Sequence, residues 1–170
     1  LIKAHKRGMA IGISMGETPE CTDEAEQLEQ MLYTFRKAYN VADYIEINVS
    51  CPNTGVSRTD ERTDFLSKML HEIMKIRRSL PIRKAVYAKL SPDMNEKQFI
   101  ATLKVIRENG INGLILFNTF PGAKAKYLNL ITPQEQLTPV TATGGYGGVS
   151  GRPLYTNTYR AVEYIKKEYP

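Results

Sequence analysis

The sequence predicts an α/β protein, a (β/α)8 barrel of which this chain supplies about four βα units. Three observations carry that prediction. Short apolar runs alternate with amphipathic helical patterns along the whole chain. The runs are mostly continuous, without strict alternation, as in parallel strands covered on both faces. Each run also ends in polar residues able to do chemistry: Ser14; Asn48, Ser50 and Cys51; Lys89 and Ser91; Asn118 and Thr119. A barrel gathers its site from several such strand ends around one mouth. A doubly wound sheet concentrates it at one switch point, usually behind a Gly-rich first turn that is missing here.

The elements follow in order. MAIGISM (9–15) is the first strand. Thr22 can cap a helix whose first turn carries Asp23 and Glu24, with Ala25, Leu28, Met31, Leu32 and Phe35 on one face. DYIEINV (43–49) is the second strand; Phe65, Leu66, Met69, Leu70, Ile73 and Ile76 then mark a helix ended by Pro81. AVYAKL (85–90) is the third strand. Asn95 with Gln98 forms a capping box for a helix bearing Phe99, Ile100, Leu103 and Ile106, which stops near Gly110. NGLILF (112–117) is the fourth strand. After a long loop, Pro153 suits the first turn of a last helix with Leu154, Ala161, Val162 and Ile165.

Closing such a barrel takes eight strands and about 250 residues. Four strands leave two apolar edges open to aggregation. Residues 1–170 are therefore expected to be one partial barrel domain, an excerpt of a longer chain.

Composition narrows the function classes. A chain of 170 residues with 42% hydrophobic and 24% charged residues is that of a globular domain. No apolar run approaches the roughly 18 residues of a membrane span, and the basic opening LIKAHKRGMA is too short in apolar residues for a secretory signal. The net charge of +5 suits a solubilising surface or attraction of a small anion. Nucleic acid is not expected: the densest basic run, KIRR at 75–78, lacks interleaved aromatics and lies on a helix. Two cysteines, Cys21 and Cys51, without C-x-x-C spacing point to a reducing, cytoplasmic compartment. No Asp/Glu/His cluster has metal spacing. His71 reads as a surface or packing residue.

The strand ends carry the chemistry. In INVSCPNTG (47–55), Asn48 shares a side of the strand with Ser50, and Pro52 biases Cys51 toward an extended conformation. Asn48 and Asn53 can frame a planar, carboxylate-bearing ligand through their amides, or merely satisfy a polar turn. Lys89 follows a strong strand and should point into the barrel mouth or core, where a lysine asks for an anionic partner. It can serve as a Schiff-base amine or as a fixed positive charge. Asn118 and Thr119 add amide and hydroxyl groups, and the glycine-dense GGYGGVSGRPL (144–154) permits close backbone approach to a ligand. A helix start beside Cys21 can lower a thiol pKa, but nothing pairs with Cys21 in sequence, and it is set aside as a site residue.

Taken together, NVSCPNTG, AKLSPD, the strand tip FNT and GGVSGRPL, in this order and spacing, resemble the dihydroorotate dehydrogenase family of FMN-dependent barrel enzymes. The resemblance implies that the chain holds the third to sixth barrel strands. It implies oxidation of dihydroorotate to orotate, a step of pyrimidine biosynthesis, with Cys51 as the base that takes the C5 proton and hydride passing to flavin N5. Asn48, Asn53, Asn118 and Thr119 match residues holding the substrate. Ser14, Asn48, Lys89, Phe117 and Gly151 match positions around FMN, with Lys89 beside the flavin ring. Ser14 and Phe117 depart from one branch, which has asparagine and threonine there. Cys51 is typical of the soluble class, whereas GGVSGRPL is closer to the quinone-using members, so fumarate, NAD and quinone all stay open as acceptor.

Two other readings stand beside this one. Lys89 fits a Schiff-base aldolase-type barrel, and the chain fits a non-catalytic half-barrel that completes itself as a homodimer. On the leading reading the isolated 170 residues are inactive, because the absent strands carry most of the FMN phosphate site.

Overall fold

The computed structural model describes residues 8–18, 21, 23–49, 61–121, 139–140, 145–146 and 148–169. The chain divides into two compact units, one of residues 1–89 and 95–115, the other of residues 90–94 and 116–170.

The first unit alternates strand and helix: β1 (Gly12–Gly16), α1 (Glu24–Val41), β2 (Tyr44–Asn48), α2 (Glu61–Ser79), β3 (Ala85–Lys89), α3 (Glu96–Glu108) and β4 (Gly113–Ile115). The four strands form one parallel sheet in the order β1-β2-β3-β4. Each helix is a crossover between neighbouring parallel strands, as a barrel requires. α1 packs on β1 and β2 and beside α2, and α2 packs beside α3.

Local chemistry explains the helix ends. The N-cap of α1 is Asp23, whose carboxylate accepts the Glu26 N–H at 2.8 Å. The expected cap, Thr22, lies outside the described residues. Asp23 both satisfies an orphan donor and places negative charge at the positive end of the helix dipole. The buried ladder of α1 is Gln27, Met31, Phe35, Ala38 and Tyr39, while Ala25 is exposed. The packed face is thus rotated from the expected one. Gln27 tolerates burial because its Nε2 donates to the Cys21 carbonyl at 2.6 Å. At α3 the expected capping box is present: Asn95 Oδ1 accepts from the Gln98 N–H at 2.9 Å and Gln98 Oε1 from the Asn95 N–H at 3.1 Å. That helix buries Leu103 and Ile106 as expected, with Thr102 and Val105 added, whereas Ile100 is exposed.

The sheet is two-faced. Met15, Ile45, Ile47, Val86 and Ala88 are buried, whereas Ser14, Tyr44, Glu46, Asn48, Tyr87 and Lys89 alternate with them and are half-buried or exposed. The expectation of continuous apolar strands is corrected here: the central strands alternate, apolar toward the helices and chemically varied on the other side. Register sorts that second side into rows. Gly12, Tyr44 and Ala85 form the lowest row; Ser14, Glu46, Tyr87 and Gly113 the next; Gly16, Asn48, Lys89 and Ile115 the row at the C-terminal ends.

Glycine makes room within these rows. A Cβ on Gly12 would lie 2.1 Å from the Tyr44 ring, and one on Gly113 3.1 Å from Cδ1 of Tyr87. Each tyrosine lies over the glycine of the adjacent strand, and the two rings meet edge to face at 5.7 Å. Large side chains beside absent ones fill a barrel interior in layers.

In the second unit, residues 90–94 form a turn in which Ser91 is buried and its hydroxyl donates to Asp93. The Asn118 N–H donates to the Leu90 carbonyl at 2.8 Å, and Asn157 Nδ2 to the Pro92 carbonyl at 3.1 Å. Phe120 and Val149 exchange two backbone hydrogen bonds of 2.8 Å. Two short strands, β5 (Pro139–Val140) and β6 (Gly145–Tyr146), pair antiparallel. A 3-10 turn (Arg152–Leu154) carrying Pro153 leads into α4 (Tyr155–Glu168), so proline sits in the entry turn as expected.

Candidate active site

The top row of the first unit is where chemistry gathers. Parallel register puts Gly16, Asn48 and Lys89 side by side at the ends of three consecutive strands, and the ladder continues with the Val49 N–H donating to the Lys89 carbonyl at 3.2 Å. The Lys89 side chain is 19% exposed, and its Nζ lies 2.6 Å from Oε1 of Glu46, itself 15% exposed. The same oxygen accepts the Ser14 hydroxyl at 2.6 Å. The anion that a lysine in this position demands is therefore Glu46, supplied from one row lower on the neighbouring strand. Diagonal neighbours across a sheet are within reach of long side chains.

Glu46 is not among the residues the sequence singled out. The signal was nonetheless present: in YIEIN the period of two puts Glu46 on the face of Asn48. An acidic residue between two isoleucines at that period needs either solvent or a cation.

The ion pair bears on the two uses of Lys89. A Schiff-base amine needs a lone pair on nitrogen, whereas an ammonium held at 2.6 Å by a carboxylate is a fixed positive charge. Ser14, Asn48 and Lys89, three of the expected site residues, thus stand on one face within one unit. Cys51 and Asn53 lie outside the described residues.

The second unit holds the others. Asn118 and Thr119 follow β4, and the Asn118 carboxamide oxygen accepts the Thr119 N–H at 3.0 Å, an amide that shapes its own turn. Thr119 backs onto Gly148, where a Cβ would fall 2.0 Å from the threonine Oγ1. Phe117 is half-buried. Gly151 has φ +80°, a conformation that disfavours side chains, just ahead of Arg152.

Cys21 is 7% exposed, and burial raises its pKa above that of a free thiol, with the hydrogen bond and negative charge of Glu26 adding to the rise. His71 is exposed on α2, and Arg77 of the basic run donates to the Lys84 carbonyl at 2.7 Å. Among the described residues no cluster of three His, Cys, Asp or Glu is arranged for a metal, and no helix is long and apolar enough to cross a membrane.

A parallel sheet flanked by crossover helices, with a lysine and an amide at its C-terminal rim, defines part of a (β/α) barrel enzyme scaffold. The model of the family described as Dihydroorotate dehydrogenase matches residues 2–169. This chain belongs to the dihydroorotate dehydrogenase family. It is 30% identical over 169 residues to the dihydroorotate dehydrogenase (quinone) of Legionella pneumophila (strain Corby), covering 97% of this chain and 47% of the relative. It is 31% identical over 157 residues to the protein of the same name from Trichodesmium erythraeum (strain IMS101), covering 92% and 39%. The chain spans about half the length of the curated relatives it matches. In structure it is similar to the ligand-free DHODH of Eimeria tenella, with a TM-score of 0.68 at 22% identity over 92% of this chain and 44% of that one. The ferulenol complex of the same enzyme gives 0.70 at 21% identity, covering 95% and 44%. The shared fold is the barrel, represented here by its four-stranded part.

Proposed function

We propose that the protein oxidises dihydroorotate to orotate with bound FMN, and that these 170 residues contribute the third to sixth strands of its barrel domain. The observation that carries the reading is the rim of the first unit, where Asn48 and the ion-paired Lys89 are in register on a face that also bears Ser14. Its polar groups suit the group: an ammonium and a carboxamide beside Gly16, which adds no side chain of its own. A flat anionic ring rich in carbonyl acceptors needs such a surface.

On this reading Cys51 takes the C5 proton of dihydroorotate as thiolate, and a hydride leaves the adjacent ring carbon, so that a carbon–carbon double bond forms. FMN, when bound, accepts that hydride and passes its two electrons to an acceptor. Asn48, Asn53, Asn118 and Thr119 hold the ring and carboxylate by their amides and hydroxyl. Ser14, Asn48, Lys89, Phe117 and Gly151 line the cofactor, with Lys89 keeping a positive charge where negative charge develops. A quinone is the acceptor we favour, because the relatives are named for it. We place the protein in the cytoplasm, working on a small molecule, with a homodimer as its assembly. The aldolase-type reading is disfavoured by the Lys89–Glu46 pair.

The test is anaerobic mixing of full-length, flavin-loaded protein with dihydroorotate. The visible flavin absorbance should bleach in the wild type and in Cys21→Ala, and not in Cys51→Ala. The bleaching rate should rise toward alkaline pH, since a free thiol titrates near pH 8.5. Bleaching that survives in Cys51→Ala refutes the assignment of the base. Reoxidation by fumarate or NAD instead of a quinone analogue refutes the acceptor.

A further inference from the structure

We propose that Glu46 is a positioning residue for Lys89, and that its carboxylate sets how much positive field the lysine presents to the bound flavin. The proposal rests on the functional reading above and extends it to a residue outside the expected site. Three facts support it. Glu46 Oε1 lies 2.6 Å from Lys89 Nζ, and both side chains are largely buried, at 15% and 19% exposure. The same oxygen accepts the Ser14 hydroxyl at 2.6 Å, so the carboxylate is fixed from β1 while it holds a cation on β3. Lys89's own row contains Gly16, Asn48 and Ile115, with no acidic residue. The lysine is therefore drawn back toward the row below and does not extend freely past the rim.

This arrangement has an electrostatic consequence. A lone ammonium at the rim would favour negative charge on the ring strongly; an ammonium half-neutralised by a carboxylate one row beneath favours it less. In a site of low effective dielectric the difference is large enough to measure. A pair that only offset two buried charges would affect stability and leave the flavin alone.

The experiment uses full-length protein purified with its flavin. The readouts are the flavin reduction potential and the dissociation constant of sulfite, an anion that adds to the oxidised ring. Glu46→Gln keeps the shape and removes the negative charge, so sulfite should bind about tenfold tighter. The two-electron potential should rise by the equivalent amount, roughly 30 mV. Glu46→Asp keeps the charge and should stay within about twofold of wild type in both readouts. In a Lys89→Met background Glu46→Gln should move both readouts by no more than about twofold, because the carboxylate then has no ammonium to position. The double variant also buries no unpaired charge, so it serves if Glu46→Gln alone does not fold.

An unchanged potential in Glu46→Gln, or a tenfold effect that persists without Lys89, overturns the positioning role and leaves the functional reading standing. Wild-type protein that binds no flavin overturns both.

Discussion

Neither Glu46 nor Lys89 would be tolerated in a barrel interior alone, since burying one unpaired charge costs several kcal/mol. Together, with the Ser14 hydroxyl, they form a polar cluster spanning three strands. Cys21 shows the opposite outcome, a titratable group kept neutral by its surroundings. Its raised pKa favours the protonated thiol in the folded state. The stability it contributes is intact below the pKa of a free thiol and is lost as pH rises through the higher folded-state value. The melting temperature of the wild type should therefore fall more as pH is raised into the alkaline range than that of Cys21→Ala. Iodoacetamide at pH 8 should leave Cys21 unmodified until the protein is denatured, as mass spectrometry of the tryptic peptides would show. Rapid labelling of Cys21 in the folded state contradicts the assignment.

Short segments impose their own constraints. The backbone bridge between Phe120 and Val149 holds Thr119 against Gly148 so closely that no side chain fits there. Threonine is short and branched, so it cannot swing clear of a new methyl group as a long side chain would. Gly148→Ala should cost about 1–3 kcal/mol of stability through overpacking. If Thr119 holds substrate, the same variant should raise KM for dihydroorotate. Gly148→Ala combined with Thr119→Gly should recover most of the stability, which a melting curve would report, and none of the KM. Full stability in Gly148→Ala would show that the segment has room to shift. The helices obey simpler rules, and two of their features were foreseeable: the Asn95–Gln98 box and proline in the turn before α4.

Across the four-stranded sheet, β1 and β4 each pair on one side only among the described residues. A barrel has no such edges. The 170 residues alone are accordingly expected not to retain FMN at one equivalent, whereas the full-length protein should purify yellow. A stoichiometric flavin spectrum from the isolated 170 residues contradicts this. Family membership agrees with the sheet: the chain matches nearly all of itself to relatives while spanning under half of the Legionella protein.

The order of strands and helices, the capping box and the rim residues Asn48 and Lys89 were legible from the sequence, because period, caps and strand ends are local properties of the chain, whereas Ser14 lies one row below the rim. The anion that meets Lys89 was not. Glu46 lies 43 positions earlier in the chain, and only the parallel register of β2 against β3 brings it within 2.6 Å. The packed face of α1 and the raised pKa of Cys21 were equally hidden, since both depend on which neighbours fold against them. Amino-acid order fixes what each segment prefers; which charges come to share a space is settled when the strands align.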